Sequence, residues 1–249
     1  MAIWKNASPI LALIACFAIS QPSQAEQSFG QRLLGVDDPD RGLYVSLLAG
    51  SSSLEGSSGG LNTVGNFRNF GGGEDEETAG GFAVGLRLPT RRYGGGCFAR
   101  LEFEGIDLGD RDFETGSFPG PPGPATFLYD VQIDDMQSGL VNLIFDIPIR
   151  ENFGVYLGSG FGGASYDLAV SDSVVQGKGR VNELAVQYAF GVNVYLTERL
   201  VLDLGWRHTE YGKSEIDLSS SPAPGADAGN YKLNLSAENL WVTFRYDLF

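Results

Sequence analysis

Apolar and polar residues alternate with a period of two along most of the chain, and the 3.6-residue period of an amphipathic helix is nearly absent. The clearest case is the segment 182–196, in which every second residue is apolar while Glu183 and Gln187 point to the other face. Because successive side chains of a strand face opposite ways, this pattern predicts a two-faced β-strand. Segments of this kind lie at 42–51, 80–88, 97–108, 136–147, 152–168, 182–196, 199–211 and 239–249.

The connections between these segments are alternately long and short. The short ones include "PIREN" and "TER", whereas the long ones lie near 51–79, 108–130, 167–181 and 212–236. In an up-and-down barrel successive connections fall at opposite rims, so all the long ones share one rim, as in bacterial outer-membrane barrels. We therefore predict an all-β protein, an eight-stranded antiparallel up-and-down transmembrane β-barrel over residues 42–249, with its long loops facing outward.

Periodicity alone does not tell which face of the strands points into the barrel. A soluble ligand-binding barrel has an apolar interior, whereas a membrane barrel has an apolar exterior. The glycines at 154, 160 and 162 favour the membrane geometry, because a crowded interior needs missing side chains and an exterior does not. Mixed charges then face inward, where opposite signs offset one another's desolvation. The predicted lumen network comprises Arg87, Arg100, Glu102, Glu104, Asp203, Arg207 and Arg245, with Asp146, Glu183 and Asp247 on the same face.

The first 25 residues have the build of a secretory signal peptide. The apolar run "PILALIACFAIS" is far shorter than the ~20 residues of a membrane-spanning helix. The polar segment "QPSQA" after it ends in small residues, which predicts cleavage after Ala25 and leaves 26–41 as a short periplasmic segment. The alternative is lipoprotein processing at Cys16, because "LIAC" is similar to a bacterial lipoprotein box.

Composition and charge exclude several classes of function. The net charge of −14 argues against nucleic acid as a partner, and Cys97 alone follows the predicted signal peptide, so no intramolecular disulfide is expected. No metal-ligand or phosphate-binding motif appears, so no cofactor is expected. The acidic run at 74–77 lacks the spacing of a calcium loop and predicts a hydrated surface cluster.

The single histidine, His208, is the one candidate for catalysis. No serine stands two residues after it, and it shares the face of Leu204 and Trp206, which is predicted to point toward lipid. We therefore expect a residue of the rim or membrane interface and a protein that is not an enzyme.

Two segments near the end of the chain carry a family resemblance. "LVLDLGWRHTEYGK" (200–213) and "TFRYDLF" (243–249) resemble the last two strands of small outer-membrane β-barrels of the opacity-protein and surface-antigen type in Gram-negative bacteria. The resemblance implies that the barrel-assembly machinery reads the last strand, through Phe244, Tyr246 and Phe249. Asp247 stands where that family usually has an aromatic residue.

Together these observations predict an integral outer-membrane barrel with a structural or surface-interaction role through long outward loops. Its expected partners are outer-membrane lipids and lipopolysaccharide, the barrel-assembly machinery, and surface ligands or host molecules. Two alternatives stay open: a narrow passive porin-like channel and a soluble periplasmic ligand-binding barrel.

Overall fold

The structure, a computed structural model, describes residues 42–62, 67–88, 98–119, 127–150, 152–172, 175–220 and 227–248. The predicted signal peptide, the 26–41 segment, Cys16, Cys97 and Phe249 lie outside these residues, as does most of the proline-rich stretch at 118–124. No helix in the described ranges is long and apolar enough to span a membrane.

The described chain forms a closed antiparallel barrel, which confirms the predicted fold class. Each strand pairs with its neighbours in sequence, and the last strand pairs with the first. The strands are β1 (Leu43–Asn62), β2 (Phe67–Leu88), β3 (Phe98–Pro119), β4 (Phe127–Arg150), β5 (Phe153–Ser171), β6 (Val175–Tyr195), β7 (Leu200–Ser220) and β8 (Asp227–Asp247).

The strands are much longer than the sequence predicted. They contain 19 to 24 residues, whereas ~9–11 residues cross a bilayer. The prediction of long loops was wrong for most of 51–79, 108–130, 167–181 and 212–236, because these segments continue the strands as extended hairpins. The chain there is rich in glycine, serine and charge, which is typical of loops, but it still alternates.

β-Bulges explain why the alternation was missed at several of these places. Gly109, Asp135, Gly212 and Gly229 have positive φ angles of 71, 53, 68 and 92°, and each lies at a shift in the register of paired strands. A bulge moves the side-chain pattern by one residue. In β3 the buried positions are even-numbered from Arg100 to Leu108 and odd-numbered from Arg111 onward. A pattern followed along the sequence therefore loses phase at the bulge.

The barrel has two zones along its axis, which we call the lower and the upper barrel. The lower barrel comprises residues 43–49, 82–88, 98–104, 140–149, 153–161, 184–195, 200–208 and 240–247, and the upper barrel is the rest of the eight strands. The large apolar side chains that the described residues expose on the outer face all belong to the lower barrel or to the Leu196 turn at its rim. Examples are Phe82, Phe161 and Leu240.

The interior has the opposite arrangement. In the lower barrel it contains buried arginines, carboxylates and amides, whereas in the upper barrel a continuous cluster of apolar side chains fills the space between the strands. Leu54, Ile133 and Tyr231 in that cluster have no exposed surface. The same strands therefore reverse their polarity part-way along their length.

The wall of the upper barrel is interrupted at two opposite places. The ladder between β2 and β3 is missing between the pairs at Asn69 and Gly80, and that between β6 and β7 between the pairs at Gln176 and Val186. These breaks leave two four-stranded sheets, β3–β6 and β7–β8–β1–β2, on either side of the apolar cluster. Tyr231 joins them through a ring contact with Tyr129 at 5.6 Å and a 2.8 Å hydrogen bond with Thr115. The upper barrel is thus built like a two-layer sandwich.

Candidate functional site

Two arginines and two aspartates form the centre of a charge network inside the lower barrel. Arg100 Nε of β3 lies 2.9 Å from Asp146 Oδ2, and its Nη1 lies 3.7 Å from Asp203 Oδ2. Arg245 Nη1 of β8 lies 3.7 Å from the same Asp146 oxygen and 3.5 Å from the same Asp203 oxygen. Each aspartate therefore bridges both arginines, which links four different strands across the lumen.

Further ion pairs extend this network in both directions along the axis. Arg100 Nη1 lies 3.4 Å from Glu102 Oε2, which also accepts a 3.0 Å hydrogen bond from the Tyr44 hydroxyl. Arg207 pairs with Glu104 deeper in the barrel. Because both carboxylates have an arginine partner, their burial is compensated by opposite charge.

At the lower rim, Arg87 Nη2 lies 2.6 Å from Asp247 Oδ2. The Arg87 side chain is 28% exposed, so this pair closes the network at its edge rather than within it. Asp247, which departs from the aromatic pattern of the resembling family, therefore has a position of its own in the lumen wall.

Neutral amides also contact two of the carboxylates, Asp146 and Glu104. Asn193 donates a 2.9 Å hydrogen bond to Asp146 Oδ1, while Gln187 donates to Asn142 Oδ1 at 3.1 Å and to Glu104 Oε1 at 3.4 Å. All three amide side chains are buried. Together with the arginines and carboxylates, these amides fill the lower lumen with buried polar side chains.

The structure places six of the seven predicted network residues together in the lumen, with Arg87 at the rim, whereas Glu183 lies half-buried in the upper barrel. Four arginines (Arg87, Arg100, Arg207, Arg245) face five carboxylates (Glu102, Glu104, Asp146, Asp203, Asp247), which gives a net charge of 4 − 5 = −1. The amides and Tyr44 were missed as members. Their place on the inward face of the same strands was the signal that could have identified them.

His208 lies on the outer face near the boundary between the two zones. Its ring stacks on Trp206 with 6.0 Å between centroids, and its nitrogens lie 3.8 Å from Glu210 and 3.9 Å from Glu238. It therefore points away from the lumen network, on the face that the sequence predicted. No group of three or more His, Cys, Asp or Glu residues in the described segments is arranged to hold a metal ion.

The outer face of the upper barrel is strongly acidic on one side. We call this side, on β1 to β4, the acidic wall, and no lysine or arginine whose side chain is described lies on it. The acidic wall consists of Glu55, Glu74, Glu76, Asp107, Asp110, Asp112, Glu114, Asp130, Asp134 and Asp135. The other two members of the 74–77 cluster, Asp75 and Glu77, pair with the inward-facing Leu54 and Ser52 at the break in the β2–β3 ladder. The opposite side, on β5 to β8, carries both signs and includes a 3.2 Å pair between Lys232 and Glu215.

A groove of about 850 Å³ runs across the outer face where the acidic wall meets β5 and β6. Two rows of outward side chains in register form it. One row runs Asp112, Gln132, Ala169, Lys178, and the next runs Glu114, Asp130, Ser171, Gln176. Carboxylates, amides and hydroxyls therefore line a concave surface of the size that small ligands and peptide segments occupy.

Phe244 and Tyr246 lie half-buried on the outward face of β8. Their predicted role in assembly stays a prediction, because a static barrel does not display it.

The architecture is similar to that of solved structures. The outer-membrane protease OmpT from Escherichia coli superposes with a TM-score of 0.52, 10% sequence identity, and coverage of 84% of this chain and 97% of that one. The fold is that of an outer-membrane β-barrel. Lower-scoring similarities include the Neisserial surface protein NspA (TM-score 0.42, 14% identity, 82% and 96% covered) and OprG from Pseudomonas aeruginosa (0.46, 9%, 82% and 96%). No family model matches the sequence, and no curated protein matches it significantly.

The lower barrel of this protein has about the length of the lipid-facing part of an outer-membrane β-barrel. On β4, for example, outward apolar residues run from Val141 to Ile149, which is close to the ~9–11 residues that a tilted strand needs to cross a bilayer. The polar exterior of the upper barrel is instead suited to water. At identities this low the likeness concerns the fold and carries no activity with it.

Proposed function

We propose that this protein resides in the outer membrane of a Gram-negative cell and acts there as a structural and surface-interaction protein. In this arrangement lipids and lipopolysaccharide surround the lower barrel, both chain ends face the periplasm, and the upper barrel projects from the cell. The exposed apolar side chains around the lower barrel, which we call the apolar belt, support the location in a membrane. An exposed apolar surface of that extent is stable only when it is covered. The barrel-assembly machinery is the proposed partner during insertion, through Phe244, Tyr246 and Phe249.

The observation that carries the proposed role is the filled interior of the upper barrel. A passive channel needs a continuous polar path, whereas the apolar cluster around Leu54, Ile133 and Tyr231 blocks the axis above an ion-pair network that blocks it below. An interior of this kind makes the projecting part a rigid body with a fixed outer surface. Recognition on that surface accounts for the long strands better than transport does.

The chemistry of the surface favours basic or neutral partners over sulfated or phosphorylated ones. The acidic wall repels anions at close range, and the groove beside it offers carboxylates together with amides that can bond peptide or sugar groups. The host molecules or ligands that we propose therefore carry positive or neutral groups at the contact.

Envelope fractionation and labelling of intact cells test the proposed location. In a Cys97→Ser background, Asp112→Cys in the upper barrel is expected to react with a membrane-impermeant maleimide, and Leu196→Cys at the lower rim is not. The protein is expected in the envelope fraction, with a mobility on gels that changes on heating. Recovery in osmotic-shock fluid would instead support the soluble periplasmic barrel.

Peptide binding and bilayer recordings test the proposed role. A fluorescent decalysine peptide is expected to bind the purified barrel, and the triple variant Asp112→Asn, Glu114→Gln, Asp130→Asn is expected to weaken binding most at low salt. The matched control, Glu210→Gln, Glu215→Gln, Glu238→Gln, removes the same charge from the opposite side and is expected to weaken it less. Equal losses would contradict recognition at the groove, and reproducible single-channel steps in planar bilayers would support the channel.

A further inference from the structure

A groove of about 720 Å³ runs across the apolar belt on β5 to β8. Two rows of outward side chains in register line it on the last three of these strands: Val192, Leu204 and Val242 in the lower row, and Phe190, Trp206 and Leu240 in the row above. The volume is within the range of ligand sites, and these side chains are all apolar. The groove is therefore suited to a hydrocarbon chain.

The surface directly above the groove changes from apolar to charged. The next row contains Tyr188, His208 and Glu238, and Glu210 lies one row further up on β7. The lower barrel meets the upper barrel at this height. In the proposed location, it is the height of the lipid headgroups.

Glu210 and Glu238 have no close basic neighbour except His208. The imidazole Nε2 lies 3.8 Å from Glu210 and Nδ1 lies 3.9 Å from Glu238, and both distances are too long for a hydrogen bond. No lysine or arginine among the described residues, Lys213 of the same strand included, forms an ion pair with either carboxylate. The two glutamate side chains are 67% and 65% exposed, so a ligand can reach both.

Aromatic rings join the groove to the carboxylates. The Trp206 ring contacts Phe190 with 5.0 Å between centroids and stacks on His208, which holds the imidazole between the two glutamates. Tyr188, the cross-strand neighbour of His208, exposes about half of its surface beside them. An exposed aromatic ring next to carboxylates favours a cation, because the face of the ring also attracts positive charge.

The combination of a groove and a charged edge distinguishes this place from the rest of the outer face. The carboxylates of the acidic wall do not border the groove. An anionic headgroup above the groove would be repelled by two like charges, and a neutral one would leave both without a counter-charge. The surface therefore favours a ligand with a hydrocarbon chain and a positive head.

We propose that the groove and the two glutamates bind a membrane lipid whose headgroup carries a primary ammonium group. The hydrocarbon chain lies in the groove against Val192 and Trp206, and the ammonium donates hydrogen bonds to Glu210 and Glu238. The inference rests on the proposed function, because it needs the headgroup region of a membrane at this height. One side of the barrel then holds a particular class of lipid, while the remainder of the apolar belt does not discriminate by charge.

Nuclear magnetic resonance of the single histidine tests the site. The protein, with isotope-labelled histidine, is folded in dodecyl maltoside micelles and titrated with dodecylamine at about 0.15 M salt. The ring signals of His208 are expected to shift and saturate. Glu210→Gln with Glu238→Gln is expected to raise the concentration at half-saturation several-fold. The matched control, Glu215→Gln with Asp217→Asn, removes two carboxylates further up β7 and is expected to leave it unchanged.

Three further measurements separate the contribution of the chain from that of the charge. Val192→Phe narrows the groove and is expected to raise the half-saturation concentration although both glutamates remain. Dodecanol has the same chain without the charge, and decalysine has the charge without the chain, so neither is expected to give a saturating shift in the same range.

A titration in which the double glutamate variant behaves like the wild type, or in which dodecanol is as effective as dodecylamine, would overturn the proposal. An equal response to decalysine would also overturn it and assign the surface to cationic peptides instead. Envelope fractionation and cysteine labelling do not depend on these results, so a failure here and a failure of the proposed location can be distinguished.

Discussion

The lower and upper barrel are built from the same eight strands with opposite arrangements of polarity. In β7, Leu204 of the lower barrel is 40% exposed and Asp203 beside it is buried, whereas in the upper barrel Leu218 is buried and Asp217 is exposed. The hydrogen-bonded wall is compatible with either arrangement, because it satisfies the backbone by itself. The medium outside the wall therefore decides which side chains are tolerated on each face.

The difference also concerns how each interior is stabilised. The lower lumen depends on charges that compensate one another across strands, so it is sensitive to the loss of any one partner. The upper lumen depends on apolar packing, so it is sensitive to lost volume. Loss of a charged partner should therefore destabilise the lower barrel most, and loss of side-chain volume should destabilise the upper barrel most.

The largest effect is expected from Arg100→Met. The change leaves Asp146, Glu102 and Asp203 with less compensation in the lumen, and breaking a buried pair costs about 3–5 kcal/mol. Urea unfolding in micelles, followed by tryptophan fluorescence, measures this loss. Adding Asp146→Asn should recover part of it, because the neutral amide no longer needs a counter-charge. A double variant that is less stable than the single one would contradict the network.

Leu54→Ala and Leu240→Ala compare the two zones directly. Leu54 is fully buried in the upper core, so its truncation leaves a cavity and should cost about 2–5 kcal/mol. Leu240 is 63% exposed on the apolar belt, where acyl chains can refill the space. Its truncation should therefore cost only the transfer free energy of the removed carbon atoms, about 2 kcal/mol. The same urea experiment in lipid vesicles measures both. Equal losses would mean that the upper core is not tightly packed.

Gly205→Ala and Gly139→Ala test the crowding of the lower lumen. A methyl group at Gly205 would overlap the Tyr156 hydroxyl, and overpacking of this kind costs about 1–3 kcal/mol. At Gly139, on the outer face, no atom lies within 4 Å of the added carbon, so alanine should be neutral or stabilise by about 0.4–1 kcal/mol. Destabilisation at both positions would point to strand conformation rather than to space.

Alkaline pH should destabilise the upper barrel. Burial raises the pKa of Tyr166 to about 12. A pKa above the ordinary value of 10 means that the unfolded chain loses this proton first. The contribution of the protonated Tyr166 to stability is therefore fully present below pH 10 and is lost as the pH rises toward 12. Tyrosinate absorbance and unfolding midpoints across this range measure the effect, and Tyr166→Phe should reduce it.

The smallest effect is expected from Lys232→Met on the mixed side of the upper barrel. The hydrogen bond from Asn230, followed by the contact with Lys232, lowers the pKa of the Glu215 carboxyl, but the Lys232–Glu215 pair is open to water. Exposed pairs of this kind contribute little and are screened by salt. The unfolding midpoint should therefore stay unchanged within error, and a clear shift would indicate that Lys232 has another partner.

The sequence was sufficient to predict the strands of the lower barrel, because apolar and polar residues alternate there without interruption. In β6, every second residue from Leu184 to Val194 is apolar, and the network residues follow from the opposite face. The upper barrel was predicted as loops although "YDVQID" (129–134) alternates clearly, with Tyr129, Val131 and Ile133 buried. Its apolar residues are separated by bulges and glycines, so no run is long enough to stand out.

The residues of the candidate site divide in the same way. Arg100 and Asp203 were predicted because their strand face is evident from sequence. Arg111 was not, because its inward orientation depends on the bulge at Gly109, and a glycine between charged residues indicates no bulge by itself. The groove was not predicted either, since it forms only when outward residues of β3 to β6 come into register.

Closure of the ring between β1 and β8 constrains how the protein can be made. Tyr44 of β1 pairs with Asp247 of β8. Because β1 is synthesised before β8, it can form this pairing only after β8 has also been synthesised. Until then its backbone edge is open to pairing with other chains. A ribosome-bound chain therefore cannot close the ring, and the edges of its first and last strands stay open until the two strands meet.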